Sequence, residues 1–118
     1  ISVLKGGGFL LKDLEEKIKQ VYRDSETERF ILEKIHLWLT YHFGGYAKVT
    51  DELVNFMRDF TSETGVKLDP VYTAKTAFAM SELAGKLNGL KPEKWVLIHT
   101  GGLQGIPAME GRLGHPIY

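Results

Sequence analysis

The sequence predicts an α/β fold with a small, mainly parallel sheet and crossover helices. The first observation behind this prediction is a short run, Trp95 to Ile98, that is apolar on both faces, as is typical of a strand buried between two helical layers. The second is the order of the predicted elements, which is strand, helix, strand, helix, helix, strand. The connections between these elements are long enough for right-handed crossovers.

Composition limits the classes of function. A chain of 118 residues holds one domain with a modest core. Acidic and basic side chains number 15 each, so no net charge favours a nucleic-acid partner. The absence of cysteine excludes disulfides, thiolate catalysis and zinc–thiolate sites, and it fits a cytoplasmic location. No apolar run approaches the roughly 20 residues of a membrane span, so we expect no membrane partner.

The first strand is predicted at Ile1 to Lys5, and because it starts without a lead-in we expect the chain to be part of a longer polypeptide. The glycines at 6–8 lack the G-x-G-x-x-G pattern and the Lys-Ser/Thr pair of phosphate loops, so we interpret them as a flexible connection. A helix follows, whose apolar face comprises Leu11, Leu14, Ile18 and Val21.

The second strand is predicted at Lys34 to Leu39, where apolar and polar residues alternate. The charged stretch before it, Asp24 to Arg29, is interpreted as a solvent-facing turn or helix end. After the strand, Thr40 to Lys48 form an aromatic, glycine-containing loop. Loops that follow strands are common places for functional residues, so we expect a site here.

Two further helices are predicted from their capping signals. Thr50 is suited to cap the first, and Gly65 to end it. Asp69 followed by Pro70 marks the start of the second, with Tyr72 in its first turn. The stripe of the first helix comprises Leu53, Phe56, Met57 and Phe60. The second is rich in small side chains, includes Leu87 and is expected to end at Gly89.

The third strand, Trp95 to Ile98, leads into Thr100 and the paired glycines 101–102. Ligands of open α/β sheets bind beyond the carboxyl ends of strands, and glycine lets the backbone approach a bound group. The remaining stretch, 104–118, predicts a short helical turn and a surface tail.

The usual catalytic constellations are missing. The four histidines show neither the i, i+4 spacing of zinc proteases nor a neighbouring carboxylate, so we expect no metal site. A nucleophile elbow of the G-x-S-x-G type is absent as well. What is left is a set of hydroxyl groups near loops and helix starts, which can hold a planar heteroaromatic cofactor but cannot act as an electron sink. These residues are Tyr46, Tyr72, Thr73 and Thr100.

At these positions the chain resembles a known family. The stretches 68–75 (LDPVYTAK) and 98–103 (IHTGGL) are similar to the C-terminal third of pyridoxal-phosphate enzymes grouped with 1-aminocyclopropane-1-carboxylate deaminase and D-cysteine desulfhydrase. The stretch 44–47 (GGYA) matches the loop that carries a site tyrosine in these enzymes. The three matches come in the family's order and spacing, over roughly residues 35 to 105.

The resemblance implies a fold, a cofactor and a boundary. It implies the C-terminal portion of a fold like that of the tryptophan synthase β-subunit (fold type II), with residues 1–118 as a fragment of the large cofactor-binding domain. The implied cofactor is pyridoxal 5'-phosphate. The family's cofactor-linked lysine, its neighbouring serine and its phosphate loop match nothing in this chain, so the chain alone is expected to be inactive.

The resemblance also assigns roles residue by residue. Tyr72 would face the cofactor and substrate as an acid/base or orienting group, and Tyr46 would be the second phenol. Thr100 would hydrogen-bond the pyridine nitrogen, and Thr73 and Gly101 would complete the cofactor contacts. The implied partners are a small amino-acid substrate and the rest of the same polypeptide, and we expect a homodimer.

One departure from the family bears on the reaction. The cyclopropane deaminases place a glutamate where this chain has Thr73, and a hydroxyl cannot keep the pyridine nitrogen protonated. The weaker electron sink that results favours expulsion of a thiolate, as in D-cysteine desulfhydrase, over opening of a cyclopropane ring. A 1-aminocyclopropane-1-carboxylate deaminase stays open as an alternative, and so does a small non-enzymatic α/β domain in which these motifs are only caps and turns.

Overall fold

The structure, a computed structural model, describes residues 1–86 and 94–118. In these ranges the chain forms five α-helices and one short 3-10 helix. The α-helices are α1 (Phe9–Val21), α2 (Ser25–Leu32), α3 (Asp51–Thr64), α4 (Thr73–Lys86) and α5 (Ile106–Leu113), and the 3-10 helix is Leu103–Gly105. None of the helices in the described ranges has both the length and the apolar character needed to cross a membrane.

The predicted sheet is wrong, since residues 1–86 and 94–118 contain no β-strand. The three stretches expected to be strands, Ile1–Lys5, Lys34–Leu39 and Trp95–Ile98, are neither helical nor paired in a ladder. A single backbone hydrogen bond, from Ser2 N–H to the Trp38 carbonyl at 3.0 Å, joins the first two. An apolar run becomes a strand only when a neighbour completes its hydrogen bonds, and no segment within the described ranges supplies that partner. The α/β class and the tryptophan synthase β-like portion are therefore contradicted.

The first two helices differ from the prediction in detail. α1 forms where expected, but Ile18 is its one buried side chain, whereas Leu11, Leu14 and Val21 are exposed. α2 forms where a solvent-facing turn or helix end was predicted. Its cap is Asp24, whose carboxylate accepts a hydrogen bond from Thr27 N–H at 2.7 Å. The cap therefore stabilises the helical conformation of this segment, which contains no buried residue.

α3 confirms its sequence signals. The Thr50 hydroxyl accepts a hydrogen bond from Leu53 N–H at 3.3 Å, and Asp51 and Glu52 lie in the first turn, where the helix dipole favours carboxylates. Gly65 ends the helix in the left-handed conformation with φ 72°. Because these signals act within one helical turn, they could be recognised without knowledge of the tertiary fold.

α4 begins at Thr73, three residues later than the predicted proline start. Asp69 still acts as the capping residue, because its carboxylate accepts hydrogen bonds from the N–H groups that lead into the helix. The helix is described up to Lys86. Its predicted continuation through Leu87 and its predicted end at Gly89 lie outside the described residues.

The core lies between α3, α4, α5 and the segment that follows α5. Phe78 of α4 packs edge-on against Phe43 of the aromatic loop and Phe56 of α3, with ring centroids 5.0 and 5.2 Å apart. The predicted surface tail is partly wrong, because Ile117 is completely buried. Buried members of this core are Leu53, Met57, Leu68, Ala74, Ala77, Met109 and Ile117.

Candidate functional site

Tyr72 lies in a turn that Asp69 organises. One carboxylate oxygen of Asp69 accepts hydrogen bonds from the N–H groups of Val71 and Tyr72 at 2.9 and 3.0 Å, and the other accepts one from Thr73 N–H at 2.7 Å. Asp69 is only 2% exposed, and the residue that it holds, Tyr72, is 46% exposed. The buried cap thus presents the phenol of Tyr72 at the surface.

Tyr46 lies in the aromatic loop between residues 34–39 and α3. The loop consists of two successive turns, closed by hydrogen bonds from Gly45 N–H to the His42 carbonyl and from Lys48 N–H to the Gly45 carbonyl. Its glycines have positive φ, 93° for Gly44 and 132° for Gly45, which side-chain-bearing residues rarely adopt. The prediction of a loop at this place is confirmed.

The two phenols meet in space although they are 26 residues apart. The Tyr72 hydroxyl donates a hydrogen bond to the Tyr46 oxygen at 3.4 Å, and the ring centroids are 6.1 Å apart at an angle of 64°. This hydrogen bond is the main reason why the pKa of Tyr72 is raised above its usual value, with smaller contributions from burial and from the charges of Tyr46 and Asp69. The Tyr72 phenol thus stays protonated at physiological pH, as tyrosine ordinarily does.

Both rings line a cavity of about 340 Å³. The other lining residues are those of the stretch 1–4 and Leu10 of α1. A volume of this size is at the lower end of the range for small-molecule sites. The lining thus combines two phenol groups with mostly apolar side chains.

The stretch that contains Thr100 lies beside the Asp69 turn. The ring of His99 is 2.9 Å from the Lys67 carbonyl, measured from Nε2. Gly102, with φ 96°, approaches Asp69 so closely that a Cβ atom would lie 2.8 Å from the Asp69 Cβ. The structure thus brings together the two sequence stretches that carry Tyr72 and Thr100.

The three other predicted site residues differ in their surroundings. Thr100 is exposed. The Gly101 N–H donates to Nδ1 of His99 at 3.1 Å. Thr73 is buried, and its hydroxyl accepts a hydrogen bond from Asp69 N–H at 2.8 Å while lying 3.4 Å from the Asp69 carbonyl. The Thr73 side chain therefore stabilises the turn, whereas the Thr100 hydroxyl is accessible to a ligand.

Sequence reasoning missed Lys75, which is completely buried on α4. Its ammonium group donates hydrogen bonds to the His42 and Gly45 carbonyls, both at 2.9 Å. Burial lowers the pKa of Lys75, although the charge of Asp69 acts in the opposite direction. The sequence signal that could have indicated this burial is the position of Lys75 among small residues, on the face of α4 that packs inward.

The accessible groups fit part of what pyridoxal phosphate requires. Phenol and threonine hydroxyls can hydrogen-bond the polar edge of a planar heteroaromatic ring, and the positive φ of Gly101, 91°, keeps the backbone open to close approach. The buried hydroxyl of Thr73 does not offer such a contact. In residues 1–86 and 94–118, no three His, Asp or Glu side chains converge as a metal site would require.

Comparisons with known proteins identify relatives of part of the chain. A Pyrococcus furiosus protein, named provisionally as a 1-aminocyclopropane-1-carboxylate deaminase, is 44% identical over 105 residues, which are 89% of this chain and 31% of the relative. The mitochondrial bifunctional D-cysteine desulfhydrase/1-aminocyclopropane-1-carboxylate deaminase of Arabidopsis thaliana is 41% identical over 63 residues, 52% of this chain and 16% of the relative.

A third relative is the D-cysteine desulfhydrase of Salmonella paratyphi B, 35% identical over 74 residues, which are 58% of this chain and 21% of the relative. The chain thus spans less than a third of the length of each of these three relatives. No protein-family model matches the chain, and no solved structure matches it.

Proposed function

We propose that this chain is part of a pyridoxal-phosphate-dependent enzyme that acts on small amino acids. The chain belongs to the family of 1-aminocyclopropane-1-carboxylate deaminases and D-cysteine desulfhydrases. The observation that carries the proposal is the contact between Tyr46 and Tyr72, which line the same cavity. The active protein then includes further parts of the family's polypeptide, because the matched segments cover 16–31% of these relatives.

Each site residue has a task in this proposal. Pyridoxal phosphate, when bound, supplies the electron sink that side chains lack. Tyr72 is the phenol that exchanges or orients a proton at the substrate, and Tyr46 contacts its hydroxyl as the second phenol. The Thr100 hydroxyl binds the pyridine nitrogen, and Gly101 lets the backbone approach the ring. Thr73 acts through the Asp69 turn.

The proposed reaction is β-elimination from D-cysteine or a related amino acid. A threonine at the ring nitrogen leaves it unprotonated, which weakens stabilisation of a carbanion. Each lost ~1.4 kcal/mol of such stabilisation costs about a factor of ten in rate. A thiolate leaves readily despite this loss, whereas a carbon–carbon bond of a cyclopropane ring needs a stronger sink. Ring opening is the second candidate, favoured by the name of the Pyrococcus furiosus relative.

A groove beside the site suggests where the rest of the polypeptide packs. It has a volume of about 310 Å³, and its lining includes Ile1, Trp38, Met80, Leu83 and the stretch 95–98. The three stretches that were expected to be strands thus contribute to one apolar surface. We place the remaining part of the same polypeptide on it, and we place the whole protein in the cytoplasm as a homodimer.

The test uses the full-length protein that contains this chain, loaded with pyridoxal phosphate. At matched concentrations of D-cysteine and 1-aminocyclopropane-1-carboxylate, we expect pyruvate plus sulfide to form faster than 2-oxobutyrate plus ammonia. Tyr72→Phe is expected to reduce turnover by a factor on the order of 100 or more, because it removes the proton donor. Tyr22→Phe, which changes an exposed tyrosine at the end of α1, is the matched control.

Each result has a defined meaning. Faster release of 2-oxobutyrate would reverse the proposed order of substrates. Equal turnover of the Tyr72→Phe and Tyr22→Phe variants would remove the phenol pair from the site. A full-length protein that turns over neither substrate would contradict the proposed reaction.

A further inference from the structure

Lys75 is an unusual residue for the interior of a small protein. It is 0% exposed, whereas lysine is almost never fully buried unless it is paired. Its partners are two backbone carbonyls, those of His42 and Gly45, each 2.9 Å from Nζ. Burial of a charged group is unfavourable without such contacts, so the contacts indicate a defined task for this side chain.

The two carbonyls have a special place in the loop. The His42 carbonyl also accepts the hydrogen bond from Gly45 N–H that closes the first turn, and the Gly45 carbonyl accepts the one from Lys48 N–H that closes the second. Tyr46 lies in the second turn, directly after Gly45. One ammonium group therefore ties together both turns of the loop that carries Tyr46.

The loop needs an external support because its backbone is strained. Phe43 and Ala47 have positive φ values of 52° and 51°, and neither is glycine. A side-chain-bearing residue keeps such a conformation only when its surroundings enforce it. Packing of Phe43 on Phe78 provides one constraint, and the two hydrogen bonds from Lys75 provide the other.

The position of Lys75 on α4 also links the loop to Tyr72. It lies on α4 three residues after Tyr72, so both are attached to the start of the same helix. A side chain from this helix that holds the loop thereby fixes the position of Tyr46 relative to Tyr72. We infer that Lys75 is the positioning residue that holds the Tyr46 phenol against Tyr72.

This inference deepens the proposed function and rests on it for the importance of the two phenols in the reaction. The geometric part can be tested in the chain without cofactor or substrate. The charge of Asp69 raises the pKa of Lys75, against the effect of burial. Tyr46 and Asp69 are the residues that raise the pKa of the Tyr72 phenol. Deprotonated Lys75 still has two N–H groups, one for each carbonyl, so the support does not depend on its charge.

The experiment measures the pKa of the Tyr72 phenol in the 118-residue chain by NMR of ¹³C-labelled tyrosine, with Tyr72→Phe for assignment. Lys75→Met removes both hydrogen bonds at nearly constant side-chain length. Because the hydrogen bond to Tyr46 is the main cause of the raised pKa of Tyr72, we expect that pKa to fall towards the usual value. The expected change is about a two- to tenfold increase in the acid dissociation constant.

Two comparisons distinguish a positioning role from general destabilisation of the fold. Lys86→Met removes an exposed lysine of the same helix that pairs with Glu82, and it should leave the Tyr72 phenol unchanged. In a Tyr46→Phe background, Lys75→Met should have no further effect on Tyr72, because the partner is already missing. If Lys75→Met does not fold, Lys75→Leu takes its place, because leucine is a good helix former and likewise has no hydrogen-bond donor.

A folded Lys75 variant with an unaltered Tyr72 pKa would overturn the inference, and so would an equal effect of Lys75→Met with and without Tyr46. Neither result would affect the product assay of the full-length protein. In turn, failure of that assay would leave the link between Lys75 and the two phenols in place.

Discussion

At the scale of single residues, the two family motifs approach each other at Gly102 and Asp69. A Cβ atom at Gly102 would lie 2.8 Å from both Cβ and Cγ of Asp69, and φ is 96°. Asp69 cannot move away easily, because its carboxylate caps the turn before α4. This contact makes one glycine essential for the relative placement of the stretches that carry Thr100 and Tyr72.

We predict that Gly102→Ala destabilises the fold more than Gly101→Ala. Both residues have positive φ, 96° and 91°, so each substitution includes a similar backbone penalty of about 1–2 kcal/mol. Gly101 has no atom within 4 Å of an added Cβ, so only Gly102→Ala adds a steric cost, about 1–3 kcal/mol for an overpacked site. Urea unfolding followed by circular dichroism measures both variants. Equal losses would show that the Asp69 turn adapts.

Several site residues could be predicted from the sequence, and the reasons are local. Asp69 and Tyr72 form a recognisable cap, and Tyr46 follows a pair of glycines that indicate a loop. Lys75 could not be predicted, because its partners lie 30 and 33 residues away along the chain. Its burial depends on how the loop folds over α4, which no short-range pattern encodes.

At the scale of elements, the segment after α5 is fixed to the start of the site. The Tyr118 hydroxyl accepts a hydrogen bond from Leu68 N–H at 2.7 Å and donates one to the Leu68 carbonyl at 2.8 Å. Ile117 is completely buried, and its carbonyl accepts a hydrogen bond from Arg58 Nε at 2.8 Å. Leu68 directly precedes Asp69, so this segment supports the turn that presents Tyr72.

We predict that Tyr118→Phe lowers the free energy of unfolding by about 1–3 kcal/mol, because the buried polar groups of Leu68 lose their partner. The ring itself is retained, together with its contact to the Lys67 ammonium group, which lies 4.9 Å from its centroid. Tyr22→Phe removes an exposed phenol and should change stability by less than about 0.5 kcal/mol. Chemical denaturation compares the two. Similar values would mean that solvent replaces Tyr118 at Leu68.

The elements also show which part of a fold a sequence can reveal. Helices α1, α3 and α4 were predicted because periodicity and caps act within a few residues. The three strands were not formed, because a strand depends on neighbours that its own sequence does not specify. The segment around Ile117 was expected at the surface because its glycines and prolines resemble a loop, although tertiary contacts bury it.

At the scale of the whole molecule, apolar residues are distributed unevenly. A well-packed core joins α3, α4, α5 and Ile117. In the stretch 95–98, Leu97 packs against this core, whereas Val96 is 82% and Ile98 76% exposed. A stretch of this kind, with high β-propensity and no backbone pairing to the other described residues, can act as a template for other chains.

This exposed stretch affects how the chain behaves at high concentration. We predict concentration-dependent self-association through residues 95–98, visible as a rising weight-average mass in light scattering. Ile98→Lys places a charge on the exposed edge and should suppress the association, as charged gatekeepers do in natural proteins. Val21→Lys, a change at a 71% exposed position in α1, adds the same charge elsewhere and should not. If both lysine variants suppressed the association equally, the net charge of the chain, and not residues 95–98, would determine its colloidal stability.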